Sequence, residues 1–306
     1  MSGSEFSDRA VARIRAIEFF SGIGAFAEAV RGATVEIVAA FDQSSQANDV
    51  YRANFGMTPR SRNLDSLKHT EIPPADLWWM SPPCTPFSRR GHRRDDQDPR
   101  AVSFLNLISA IPKLLPQTIL LENVGGFPDS NVHARLCATL GASGYRQAEL
   151  ALCPTQFGVP MRRPRHFVMA SRTCPFSDSA VPDGAPAALR SYLEADPADS
   201  LLVPDRIVAR YGNSYDIVDP AQPDAEAICF TSGYYRCQKA SGSFVGLPDG
   251  RIRRFSPREI LNLLGFSAAF TFPDHIPLPA QWRLAGNSVD VRAIRYLLAR
   301  ALWTDT

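Results

Sequence analysis

Lysine is almost missing from this 306-residue chain: it occurs only at Lys68, Lys113 and Lys239, although lysine and arginine together number 33. Positive charge therefore rests on arginine, whose planar fork binds phosphate oxygens in pairs; a coding bias toward arginine would give the same skew. The 31 acidic residues leave a formal net charge of +2, which neither demands nor excludes a polyanionic partner. No run reaches the roughly 20 apolar residues of a membrane span, and the opening MSGSEFSDRAVARIR lacks the apolar core of a signal peptide. A cytoplasmic protein without a membrane partner is expected. The cysteines at 84, 137, 153, 174, 229 and 237 form no CxxC pair and no Cys/His spacing of the zinc kind, which predicts reduced thiols and no metal. Internal repeats and long low-complexity tracts are also lacking. With 45% hydrophobic and 21% charged residues, the composition is that of a folded globular chain.

What is present reads as alternating strands and helices. RIRAIEFF (13 to 20) is a buried strand, followed by the turn Ser21-Gly22-Ile23-Gly24 and the helical AFAEAVRG, which Gly32 ends. The pattern continues with VEIVAAF (35 to 41), a helix from about 44 to 54, and the strands DLWWM (76 to 80) and TILLE (118 to 122). Such alternation predicts a parallel sheet with helices on both faces. Beyond residue 171 the chain turns rich in proline, alanine and aspartate, which predicts a domain boundary there. Order returns at SPREILNLLGF (256 to 266), where Ser256 and Glu259 form a capping box and Gly265 stops the helix. A last helix is expected from about 288 to 303, with Ser288 as its N-cap.

Several clusters can carry chemistry. Phe20 to Gly24 lies between a strand end and a helix start, where glycines let a ligand approach the backbone and free N–H groups await an acceptor. Asp42 ends the next strand about twenty residues on, where a carboxylate can hold a ribose; the pair points to an adenosine-containing cofactor. Ser81-Pro82-Pro83-Cys84 puts a thiol on a stiff turn at the carboxyl end of a strand, the edge at which open α/β sheets bind ligands. Arg89, Arg90, His92, Arg93 and Arg94 follow, favouring a thiolate and attracting phosphates, unless they are simply a solvated loop. Glu122 ends another apolar strand on the same sheet edge. Arg163 and Arg165 alternate in an extended segment, so both can face one side.

Five segments, FSGIGAF, SPPCTPFSR, LLENVGGF, VPMRRPRHF and AGNSVDV, resemble the ordered motifs of the cytosine-5 methyltransferases, and the resemblance runs from about residue 14 to residue 300. It implies a doubly wound, Rossmann-like α/β domain made of residues 13–170 and 256–306, with a small irregular target-recognition lobe at 171–255. It implies S-adenosyl-L-methionine as cofactor, held by Phe20, Gly22, Ile23, Gly24, Ala25, Asp42, Gln43, Asp65, Ser81, Pro83, Asn287 and Val289. Cys84 is the implied nucleophile, Glu122 the group that engages cytosine N3 and its amine, and Arg165 with Arg163 the pair that contacts the base or supports the site.

VAAFDQSSQANDVYRANF, ICFTSGYYRCQKASGS and RRFSPREILNLLGF are similar to the small branch of that family that acts on tRNA. A monomer acting on an anticodon loop is therefore expected, with Arg89, Arg90, Cys229, Phe230, Thr231 and Tyr234 on the substrate; the alternatives are an enzyme of the same chemistry on duplex DNA and a non-catalytic nucleic-acid-binding homologue, against which the intact Cys84, Glu122 and Arg165 argue. Thr85 and Met161 depart from the family pattern, which has glutamine commonly at the first position and often, in DNA-acting members, at the second.

Overall fold

The computed structural model describes residues 13–83, 98–173, 175–237 and 239–302. Strand β1 (Ile14–Phe19) leads through helix α1 (Ala25–Ala29) to β2 (Val35–Phe41), α2 (Ser45–Phe55), β3 (Leu77–Met80), α3 (Val102–Leu114), β4 (Thr118–Val124), α4 (Asn131–Ala142) and β5 (Arg146–Leu152). The short β6 (Met161–Arg162) and long β7 (Arg165–Ser171) follow without an intervening α-helix. Then come α5 (Asp205–Tyr211), β8 (Asp216–Val218), β9 (Ala227–Ile228), β10 (Ser243–Gly246) and β11 (Ile252–Arg254). Helices α6 (Pro257–Leu263), α7 (Leu278–Asn287) and α8 (Val291–Leu302) close the described chain.

The main sheet has the order β2-β1-β3-β4-β7-β5. Its first four strands are parallel, but β7 runs antiparallel to both β4 and β5. The sheet is thus mixed, not wholly parallel as the alternating pattern predicts. With no α-helix between β5 and β7, the chain can reverse and slot β7 beside its predecessor. From β1 the chain moves outward to β2 and then returns to β3 on the other side. That switch opens a crevice at the carboxyl ends of β1 and β3.

The central strands read as unbroken apolar runs because both their faces are covered. Trp78 and Trp79, neighbours in β3, enter separate core clusters. Trp78 lies with Ile17, Phe19, Leu121 and the apolar side of α3. Trp79 stacks on Phe26 of α1 with ring centroids 5.6 Å apart. Burial of each indole contributes on the order of 3 kcal/mol. The second cluster also takes in α6 to α8 together with Leu189, Leu201, Phe230, Phe244 and Ile252, so residues between β7 and α6 share a core with the main sheet. The pairing of β6 with β9 adds a second tie.

Local signals set the helix ends. The Ser44 hydroxyl accepts the Ala47 N–H to start α2, and Gly56, at φ 72°, ends it. The Ser256 and Glu259 capping box forms as expected, and Glu259 also takes two bonds from the buried Arg253, at 2.8 and 2.9 Å. The expected helix from 288 is corrected. Ser288 caps the carboxyl end of α7, and the last helix starts at Val291, where the Asp290 carboxylate accepts the N–H groups of Arg292 and Ala293. No helix among the described residues is long and apolar enough to cross a membrane.

Candidate active site

Three loops meet in the crevice. After β1 the backbone turns through positive φ at Phe20 (57°), Gly22 (53°) and Gly24 (90°), and a phenylalanine held there stores strain of the kind found at functional sites. Asp42, just past β2, ties this turn down: its carboxylate accepts the Gly22 N–H and the Ser44 N–H, each at 2.8 Å. Ser81, just past β3, donates its hydroxyl to the Phe20 carbonyl at 3.0 Å.

The loops line a cavity of about 680 Å³. Of the expected cofactor residues, Phe20, Gly22, Ile23, Ala25, Asp42, Gln43, Asp65, Ser81, Pro83, Asn287 and Val289 line it. Gly24 does not. A Cβ there would lie 2.4 Å from Phe55 and 3.0 Å from Tyr51, so this glycine lets α2 pack against the turn. Asn63 organises the far wall, its side-chain oxygen accepting from Gln43 at 3.1 Å and from the Asp65 N–H at 2.9 Å. Ser103 donates to the Asp65 carboxylate.

The sequence reading passed over Glu18. It is fully buried in β1, lines the cavity and accepts the Tyr51 hydroxyl at 3.0 Å. Burial, with Asp42 nearby, pushes its carboxyl up to about 8, against the pull of the Tyr51 hydrogen bond. Its other oxygen has no hydrogen-bond partner among the described residues, nor do the hydroxyls of Ser21 and Ser288, two further lining residues. The available signal was a charged residue inside an apolar strand, two positions before a glycine turn.

The cavity continues to Pro82, Pro83, Glu122, Arg163 and Arg165. Cys84, Arg89 and Arg90 lie outside the described residues. Glu122 is buried near the end of β4, which runs on to Val124. Arg165, opposite Val124 in the ladder, reaches it with Nε at 3.1 Å. Burial pushes the Glu122 carboxyl above its usual range, while Arg165 and Arg163 pull it down. Asn123, also unremarked in the sequence, donates to the Pro82 carbonyl at 3.3 Å and ties β4 to the loop that leads to Cys84.

Arg163 is 4% exposed, and both terminal nitrogens of its guanidinium are engaged, while Nε finds no hydrogen-bond partner among the described residues. It donates to the carbonyls of Phe230 (2.5 Å), Gly286 (3.0 Å) and Ser288 (2.6 Å) and to the Cys229 sulfur (3.1 Å). Arg165 approaches the same sulfur at 3.6 Å. Burial alone would raise the Cys229 thiol, but these two cations hold it below its ordinary value. A Cβ on Gly286 would meet the Thr231 carbonyl carbon and oxygen at about 2.5 Å, so that glycine is where Thr231 and its neighbours dock on α7.

Two expected substrate residues lie in the core. Phe230 and Tyr234 are each 1% exposed and pack against each other, with Phe255 and Phe244 alongside. The Tyr234 hydroxyl donates to the Ser243 carbonyl and accepts the Phe255 N–H, which satisfies it inside the core. Neither ring is open to solvent. Tyr235, 44% exposed and stacked on Trp282, is the accessible aromatic of this segment.

A mixed α/β sheet with this crevice at its switch point is the Rossmann-like architecture of a methyltransferase. The model of the C-5 cytosine-specific DNA methylase family matches residues 14–196 and 204–303, and the chain belongs to that family. It is 31% identical to the tRNA (cytosine(38)-C(5))-methyltransferase of Schizosaccharomyces pombe, over 95% of this chain and 97% of that protein. It is 34% identical to the protein of that name from Spodoptera frugiperda, over 92% and 97% of the two chains. The crystal structure of S. pombe Dnmt2 methyltransferase superposes with a TM-score of 0.85, covering 95% of this chain and 98% of that one at 31% identity.

Proposed function

We propose that this protein transfers a methyl group from S-adenosyl-L-methionine to carbon 5 of a cytosine in a tRNA anticodon loop, through a covalent adduct with Cys84. The carrying observation is that Glu122, buried and paired with Arg165, shares one cavity with the Asp42-braced turn and with the prolines that precede Cys84. Residues 13–170 and 256–306 would form the catalytic part and 171–255 the target-recognition part.

The cavity suits the cofactor. Two N–H groups use only part of the Asp42 carboxylate's accepting capacity, which leaves lone pairs for ribose hydroxyls. The partnerless oxygens of Glu18, Ser21 and Ser288 offer further polar contacts. When bound, S-adenosyl-L-methionine supplies an electrophilic methyl group.

Cytosine is a poor electrophile at carbon 6, so addition of a thiolate there needs charge to be taken up at N3. Cys84 fills the first role and Glu122 the second, provided Glu122 carries a proton when the base is bound. Its burial favours the protonated form, and Arg165 orients it. Addition makes carbon 5 nucleophilic enough to accept the methyl group. Loss of the carbon 5 proton and departure of the Cys84 sulfur then restore the ring. A stacked base must first be turned out, at a cost of about a few kcal/mol that is least in a loop.

The tRNA assignment draws on the names of the similar proteins and on the small lobe, which offers little surface for reading a long duplex edge. The family model's name keeps duplex DNA as the second reading. The chemistry is tested by Cys84→Ala, which should abolish transfer while cofactor affinity stays nearly unchanged. Wild-type protein should also form a stable adduct with tRNA containing 5-fluorocytosine, because fluorine blocks the final elimination. Substantial activity in the variant, or no adduct on a substrate that otherwise binds, would refute the covalent scheme.

A further inference from the structure

A second cluster of chemistry-bearing side chains lies outside the cavity. In β7, Arg165 serves the candidate active site while the next residue, His166, points to the other face of the sheet. There α4 presents His133 and Cys137, one turn apart, beside Glu149 of β5. His133 Nε2 lies 3.0 Å from both Glu149 oxygens and 3.4 Å from Cys137 Sγ, and that sulfur lies 3.6 Å from Glu149 Oε1. His166, 9% exposed, puts its Nε2 2.7 Å from Glu149 Oε2 without making a directed hydrogen bond.

These distances have a chemical meaning. Four-coordinate zinc holds nitrogen and oxygen at about 2.0 to 2.2 Å and sulfur at about 2.3 Å, so neighbouring ligand atoms stand about 3.4 to 3.6 Å apart. His133, Cys137 and Glu149 form a triangle with edges of 3.0, 3.4 and 3.6 Å, close to one face of that tetrahedron. The donor atoms of all three residues lie within 4.8 Å of one another.

We propose that His133, Cys137 and Glu149 bind one zinc-class divalent cation, with His166 Nε2, 2.7 Å from Glu149 Oε2, orienting that carboxylate. On uptake the Cys137 S–H bond breaks, a sulfur–metal bond forms and the proton leaves to solvent; the metal keeps its oxidation state. The ion would pin α4 to β5 on the sheet face opposite the Arg165 side chain. The site escapes a reading of sequence spacing because its helix supplies only a His-x-x-x-Cys pair and the third donor comes from a later strand.

The test uses the full-length protein, freed of metal with a chelator and titrated with Co²⁺. One equivalent should bind, giving the visible bands of tetrahedral cobalt and a near-ultraviolet sulfur-to-cobalt charge-transfer band, and Zn²⁺ should displace it. His133→Ala and Cys137→Ser should lose the charge-transfer band and bind at least about tenfold more weakly, while Cys237→Ser keeps both. Far-UV circular dichroism checks that the variants fold, and Glu149→Gln, on the more exposed donor, gives an independent third loss. A wild-type protein with no sulfur-to-cobalt band, or an unchanged band in folded His133→Ala and Cys137→Ser, overturns the proposal.

Discussion

Asp42 braces the turn after β1 and faces the cavity, so its substitution should act twice. Asp42→Ala should weaken S-adenosyl-L-methionine binding by about 1.5 to 3 kcal/mol, the scale of lost charge-assisted hydrogen bonds. It should also loosen the turn, because the Gly22 and Ser44 N–H groups lose their acceptor. Calorimetry decides the first effect, and unchanged affinity would leave Asp42 as a brace alone. Glu18 makes a different prediction. Its folded-state pKa, about 8, is above the unfolded value near 4.5, so the folded protein holds the proton more tightly. Its contribution to stability is full below pH 4.5 and is lost as pH rises toward and through 8. Urea titrations from pH 4.5 to 8 should show wild-type stability falling relative to Glu18→Gln by on the order of 3 kcal/mol. Parallel pH profiles for the two proteins would contradict the assignment. The place of Asp42 beside the cavity was legible in the sequence because the carboxylate stands at a strand end beside a glycine turn. Phe230 and Tyr234 were not, since a stacking tyrosine and a core tyrosine read alike until the hydroxyl's partners are known.

Arg163 shows what one side chain does for several elements. From the link between β6 and β7, it gathers the carbonyls of Phe230, Gly286 and Ser288, joining the segment after β9 to the end of α7. Arg163→Ala would leave those buried acceptors unpaired and should cost on the order of 3 to 5 kcal/mol, read as a large fall in the midpoint of chemical denaturation. A loss below about 1 kcal/mol would mean that the carbonyls find other partners. The elements themselves were unevenly visible. The strands β1, β3 and β4 stood out because burial on both faces makes them largely continuous apolar runs, and the cap at Ser256 carries its own residue signature. The reversal of β7 was hidden, since strand direction leaves no trace in composition. Helix α7 was also missed: two prolines near its start mask it, so the chain around Ser288 was read as a beginning when it is an end.

At the scale of the whole molecule, the core that runs from β1 through the segment around Phe230 to α8 holds the expected cofactor end and the expected target end in a fixed relation. The cavity links them, with Asp42 at one end and Glu122 at the other. This arrangement suits a base turned out of its stack. The most direct measurement follows initial rates of labelled methyl transfer from S-adenosyl-L-methionine to folded tRNA and to duplex DNA, side by side at one salt concentration, because phosphate contacts make both rates salt-dependent. Cytosine methylation in tRNA should be faster by at least about tenfold, roughly 1.4 kcal/mol in barrier. Faster methylation of duplex DNA than of any tRNA would contradict the assignment.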